Sequence, residues 1–106
     1  MPKYLVTASY SAEGARGLVK EGGSARREAI KKLVEGLGGT LEAFYYAHGD
    51  NDVYAITDVP NATDGLALSL TINASGAVRL TTIPLIEPEE IDAASKKTVP
   101  YKAPGA

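Results

Sequence analysis

The chain has one histidine, six tyrosines and no cysteine. Its polar chemistry must therefore come from oxygen and imidazole groups. His48 is the one side chain that titrates near neutrality without help, so it is the natural general base. On a strand, residues 46 and 48 point the same way, about 7 Å apart. A neutral His48 imidazole can take a proton from a bound phenol or enol while the Tyr46 hydroxyl holds the oxygen left behind. His48 and Tyr46 form the candidate catalytic pair. Tyr10, Arg26, Asp52 and Tyr54 are candidate ligand contacts, since each phenol offers apolar area with a polar tip. Arg26 and Arg27 open a helix after Gly22-Gly23, where free amides and a guanidinium can hold a carboxylate or phosphate. The plainer alternatives are a loop-edge histidine without chemistry, tyrosines that only pack a sheet or interface, and arginines on a solvated helix face.

Other chemistries find no footing. His48, Asp50 and Asp52 are too few for a stable metal site, and alternation spreads them around a turn. Asp50, Asn51 and Asp52 read as turn formers. No metal and no cofactor is expected. The glycine-rich segment lacks the Lys-Ser/Thr ending of a phosphate-binding loop. There is no nucleophile elbow, no paired catalytic glutamates and no haem-attachment motif. Without a metal or a second base, the chemistry open to His48 and Tyr46 is proton transfer or substrate-assisted reaction with oxygen.

The candidate residues cluster on residues 40–59, TLEAFYYAHGDNDVYAITDV, two strand-like runs around Gly49-Asp50-Asn51-Asp52. With these four residues as the loop, His48 pairs with Val53, Tyr46 with Ala55 and Tyr45 with Ile56. Phe44, Tyr46, His48, Val53 and Ala55 then share one face. Ala43, Tyr45, Ala47, Tyr54 and Ile56 share the other. A slip of one residue would pair opposite faces.

The remaining elements frame this hairpin. Residues 3–10, KYLVTASY, read as a strand with Tyr4, Val6, Ala8 and Tyr10 on one face. Ser11-Ala12-Glu13-Gly14 breaks it, and residues 15–21 make a short helical turn. Ser24 is the cap candidate for a helix over residues 25–37, with Ile30, Leu33, Val34 and Leu37 as its apolar stripe. Gly38-Gly39 supplies a left-handed stop. Pro60-Asn61 opens a second helix, Ala62–Ala74, with Asp64 suited to its first turn. Leu66, Ala67, Leu68, Leu70 and Ile72 make it apolar nearly all round, which implies burial on more than one side. Residues 77–86 read as a fourth strand, and Pro84 puts it at an edge or a strand end. A short helix to about residue 97 is acidic first and basic last.

Strand, helix, strand, strand, helix, strand is the split βαβ, ferredoxin-like order. This is an α+β fold with a four-stranded antiparallel sheet, a short C-terminal helix and an extended tail. Helices on one face leave the other bare, and a bare aromatic and aliphatic face needs a partner. Two such sheets stacked make a dimeric α/β barrel. Residues 1–97 form the domain. Residues 98–106 form a Pro- and Gly-rich tail expected to pack on the domain or on a neighbouring subunit through Val99 and Tyr101.

Composition agrees with a single domain. The chain has 106 residues, 44% hydrophobic and 23% charged, with a net charge of −2. That size supports one small core. The mixed charge gives no footprint for nucleic acid. No apolar run reaches the roughly 18 residues needed to span a bilayer. Residues 1–10 lack an apolar signal core. These features, with the absence of cysteine, set the expectation of a cytoplasmic protein that partners itself and a small molecule, without nucleic acid or membrane.

The chain resembles the GYD domain family of the dimeric α/β-barrel superfamily. The stretches that carry the resemblance are KYLV, EGARGLVKEGGSARREAIKKLVEGLGG, EAFYYAHGDNDVYAI, NASGAVRLTTIPL and PEEIDAASKK. They span nearly the whole chain. The family's Gly-x-Tyr-Asp turn stands here as Gly49-Asp50-Asn51-Asp52, with Asn51 in place of tyrosine and Tyr54 close by. The family has no established activity. Its superfamily includes metal-free monooxygenases, haem-degrading enzymes, lactone isomerases and small-molecule sensors, an analogy of fold alone. Two readings follow. One is a homo-oligomer that binds an aromatic or carboxylate-bearing molecule between sheet and helices, with metal-free acid/base or monooxygenase-like chemistry as an extension. The alternative is a non-catalytic structural, interaction or regulatory module.

Overall fold

The computed structural model describes residues 2–106. Eight elements follow in order: β1 (Lys3–Tyr10), α1 (Ala12–Glu21), α2 (Gly23–Gly36), β2 (Thr40–Tyr46), β3 (Val53–Asp58), α3 (Ala62–Ala74), β4 (Val78–Leu85) and α4 (Pro88–Ser95). The four strands form one antiparallel sheet in the order β2-β3-β1-β4. β4 is an edge strand, which accommodates Pro84 within it.

Side-chain alternation divides the sheet cleanly. Tyr4, Val6, Ala8 and Tyr10 stand on the side of Phe44, Tyr46, Val53, Ala55, Thr57, Val78 and Leu80. α2 and α3 cover this face, and the core lies beneath them. Val34 of α2 and Val59 after β3 are fully buried. Leu5, Thr7, Ala43, Tyr45, Tyr54, Ile56, Ile83 and Leu85 occupy the other face. Tyr45, Tyr54, Ile83 and Leu85 are exposed there. Lys3 donates to Glu42 at 3.0 Å on the rim of that face, where Glu42 sits in the irregularity between Leu41 and Ala43.

The hairpin pairing differs from the sequence expectation by two residues. Tyr46 pairs with Val53, Tyr45 with Tyr54 and Phe44 with Ala55. The Ala47 amide donates to the Asp52 carbonyl at 2.8 Å, so the loop starts one residue before His48 rather than after it. A slip of two preserves parity, which is why the face assignments of residues 43–46 and 53–56 survive. His48 does not: it lies beyond β2, in the loop.

The helices also depart from expectation at their starts. The turn expected over residues 15–21 is a full helix beginning at Ala12, because the Ser11 hydroxyl accepts from the Gly14 amide at 3.1 Å. Gly22, at φ 94°, breaks the chain direction, and α2 starts immediately after it. Ser24 therefore lies inside the first turn and caps nothing. α3 matches its expected limits, and Asn61 Oδ1 accepts from the Asp64 amide at 3.2 Å. Leu66 and Leu70 on its outer side are exposed. α4 and residues 96–106 are exposed throughout, including Val99 and Tyr101 at 75% each. This arm stretches the molecule to 57 Å and its radius of gyration to 17.2 Å, against about 13 Å for a compact chain of this length. Among the described residues no helix is long and apolar enough to cross a membrane.

α1 is held close to the sheet at one point. A Cβ on Gly14 would run into the Ala77 carbonyl and lie 3.2 Å from the Tyr10 ring. A Cβ on Gly17 would meet open space. Gly14→Ala should lose about 1–3 kcal/mol of unfolding free energy by overpacking. Gly17→Ala should gain about 0.5–1 kcal/mol through the entropy of the unfolded chain. Urea denaturation of the two variants checks both signs.

Candidate functional site

The helix-covered face of the sheet is not filled. Between it and helices α2 and α3 lies a cavity of about 50 Å³. That is room for roughly three or four water molecules. Val6, Ala8, Val53 and Ala55 form its floor, with Phe44 and Leu80 beside them. Ile30 of α2 and Leu68 and Ile72 of α3 form its roof. The space arises because Ala8 and Ala55, on adjacent strands, stand where longer side chains would meet the helices.

Three polar residues interrupt this apolar lining: Tyr10, Arg26 and the buried Thr57. The end of β1 carries Tyr10, and the first turn of α2 carries Arg26. Both also line a groove of about 230 Å³ along α1, together with Glu13, Gly14, Gly17, Leu18 and Glu21. The cavity and the groove thus meet at Tyr10, Arg26 and Val78. Tyr46 stands next to this mouth. Its hydroxyl donates to the Gly23 carbonyl at 3.0 Å, and its ring lies against Gly23. Phe44 meets the Tyr46 ring edge-on at 5.2 Å and fixes it from below. Among the described residues Arg26 makes no salt bridge; the ion pairs are Lys3–Glu42 and Arg27–Glu28.

Burial raises the Tyr10 phenol above its ordinary value, and the neighbouring Tyr46 adds to this, while Arg26 pulls the other way. Burial also raises Tyr46, against the opposing effects of the Tyr10 hydroxyl and Arg26. Both phenols therefore stay protonated at neutral pH and act as hydrogen-bond donors, not as bases.

The six residues singled out from sequence separate into two groups. Tyr10, Arg26 and Tyr46 come together at the mouth of the cavity. His48, Asp52 and Tyr54 do not join them. His48 is exposed in the loop and outside the cavity lining. Asp52 is turned toward the backbone: its carboxylate accepts from the Tyr10 amide at 2.9 Å. Tyr54 stands on the bare face, where its hydroxyl accepts from the Asn51 amide at 3.4 Å. Sequence reasoning missed Ala8 and Ala55 as the makers of the cavity. The available signal was two small residues at inward positions of neighbouring strands. It also missed Glu13 and Glu21, because α1 was read as a minor turn. Among the described residues no three His, Cys, Asp or Glu side chains group as a metal site.

The raised phenols couple stability to pH. A folded-state value above the ordinary 10.0 means that the folded chain holds its phenolic protons longer than the unfolded one. Their contribution is complete below about pH 10 and is lost as pH rises through the raised values. A Tyr10→Phe, Tyr46→Phe double variant should show a shallower loss of stability between pH 9 and pH 11 than the parent. Denaturation midpoints across that range measure it.

No curated protein and no solved structure matches the chain. A family model described as GYD domain matches residues 4–95, nearly its whole length. On that match, and with the α+β architecture described above, the chain belongs to the GYD domain family.

Proposed function

We propose that this GYD domain binds a small organic molecule in the space between its sheet and its helices, as a homodimer. One observation carries the reading: an apolar cavity bordered by a protonated phenol and by a guanidinium that makes no ion pair among the described residues, with the Tyr46 phenol beside them. Apolar concavities with a few convergent polar groups are the usual form of a ligand site. Tyr10 and Arg26 are the assigned ligand contacts, with Tyr46 at the mouth. The reading is one of binding. Proton transfer by His48 and Tyr46 would need the loop to bring His48 to the mouth.

The dimer follows from the uncovered face. Leu5, Ile56, Tyr45, Tyr54, Ile83 and Leu85 make an apolar surface of the kind that marks an interface. The strand order β2-β3-β1-β4 supports a ferredoxin-like domain, and stacking two such sheets face to face gives a dimeric α/β barrel. Val99 and Tyr101, exposed in the single chain, are then available to a neighbouring subunit. A second reading, an interaction module without a ligand, is favoured by the small size of the cavity.

Benzyl alcohol is a suitable neutral probe. NMR shifts should change at the methyl groups of Ala8, Ala55 and Ile72, and Ala55→Leu should abolish the change while the variant stays folded. No response at these methyls would leave the interaction module as the better account. For the assembly, Tyr45→Glu with Ile83→Glu should convert a dimer of the 11.1 kDa chain to monomer in light scattering. A parent that is already monomeric at micromolar concentration rules out the barrel.

A further inference from the structure

We infer that the molecule bound by this site is an amphiphilic monocarboxylate, its apolar end in the cavity and its carboxylate at the mouth, held by the Arg26 guanidinium with Tyr10 donating beside it. The inference rests on the ligand-binding reading above and names the class of ligand. Three observations carry it.

The first is size. The enclosed space of about 50 Å³ takes only a short chain or the edge of a ring. Anything larger must extend through the mouth, so its outer part lies between Tyr10 and Arg26. The second is charge. Arg26 is half-buried, and among the described residues no carboxylate lies within 4.0 Å of it. A guanidinium that meets a carboxylate presents parallel N–H donors to both oxygens, the strongest pairing available to it. Tyr46 has already committed its proton to the Gly23 carbonyl, and the Tyr10 hydroxyl, which leans on Tyr46, can turn its proton to a carboxylate held by Arg26. The third is the limit on that charge. Glu13 and Glu21 line the same groove as Arg26. Two carboxylates lining the groove beside one guanidinium oppose a phosphate dianion more strongly than a monoanion in direct contact with Arg26. Beyond Tyr10 and Arg26 the lining is apolar except for the buried Thr57.

The same geometry explains why Arg26 rather than Arg27 is the anchor. Arg27 faces Glu28 at 3.7 Å on the exposed side of the helix. One residue earlier on the helix, Arg26 borders both the cavity and the groove.

The test compares benzoate with benzyl alcohol on the full chain at pH 7, where the carboxylate is ionised, by NMR titration of the cavity methyls. The parent should bind benzoate about tenfold more tightly than the alcohol. Arg26→Gln should remove that preference, lowering benzoate affinity far more than alcohol affinity. Glu21→Gln should strengthen benzoate binding and leave the alcohol unchanged, a readout that a merely structural Arg26 would not produce. Alcohol binding without a preference for benzoate overturns the carboxylate assignment and leaves the cavity reading standing. Failure of both probes overturns both. A benzoate preference that survives in Arg26→Gln shows that the charge is read elsewhere and removes Arg26 from the site.

Discussion

Ala8 and Ala55 stand at the centre of a sheet where larger side chains would ordinarily reach the helices above. Each is almost fully buried, and each pairs across the sheet with a valine, Val53 and Val6. Interiors are close-packed, and voids larger than a water are few. Two adjacent small residues under α2 and α3 therefore hold the helices apart from their floor, with Phe44, Ile30 and Ile72 as the walls. The cavity is a consequence of side-chain size at two positions. Its mouth is a consequence of where β1 ends and α2 begins, since Tyr10 is the last residue of β1 and Arg26 lies in the first turn of α2.

The other constraint is one-sidedness. A four-stranded sheet has two faces, and the helices that cover one cannot also cover the other. Because side chains alternate, placing Val6, Ala8, Val53 and Ala55 inward commits Leu5, Ile56, Tyr54 and Ile83 outward. Under the proposed function the two faces would take different partners: a small molecule on the covered side and a second sheet on the bare one. α3 adds to this, since Leu68 and Ile72 roof the cavity while Leu66 and Leu70 point away from it.

Much of the fold was legible because the punctuation is local. Asn61 and Gly76 bracket α3, and that helix runs over the expected residues. The glycine at φ 80°, Gly38, stops α2 close to where paired glycines marked its end. Strand faces were legible because alternation survives a two-residue slip. The slip itself was not, because the loop length depends on the bond from the Ala47 amide to the Asp52 carbonyl, which no residue type announces. α1 was underestimated for a similar reason. Ser11 reads as a strand break, and its cap on Gly14 is visible only once Ala77 has been brought alongside to accept the Ser11 amide. Of the site, Tyr10, Arg26 and Tyr46 were legible as polar residues near element ends. The cavity was not, because it is defined by what the alanines fail to fill.

The loop from Ala47 to Asp52 shows how the remaining polar residues serve the site without entering it. Asp52 accepts from the Tyr10 amide, and its own amide donates to the Ala8 carbonyl at 2.8 Å. The Ser9 hydroxyl donates to the Asp50 carbonyl at 3.1 Å. These bonds fasten the end of β1 to the hairpin tip, and Tyr10 is the last residue of β1. On the other side Tyr10 pairs with Val78 of β4 and the Ser11 amide donates to the Ala77 carbonyl, so the strand end is held from both neighbours. Held by Asp52, its phenol keeps one position at the mouth beside Arg26. Asn51, which occupies the family's tyrosine position, turns instead to the Tyr54 hydroxyl on the bare face. The loop therefore joins the two faces of the sheet: through Asp52 it is bonded to the end of β1 beside the cavity, and through Asn51 and Tyr54 it borders the bare face. Closing that surface against a partner would restrain the loop, and through the Asp52 bond it would steady Tyr10 as well.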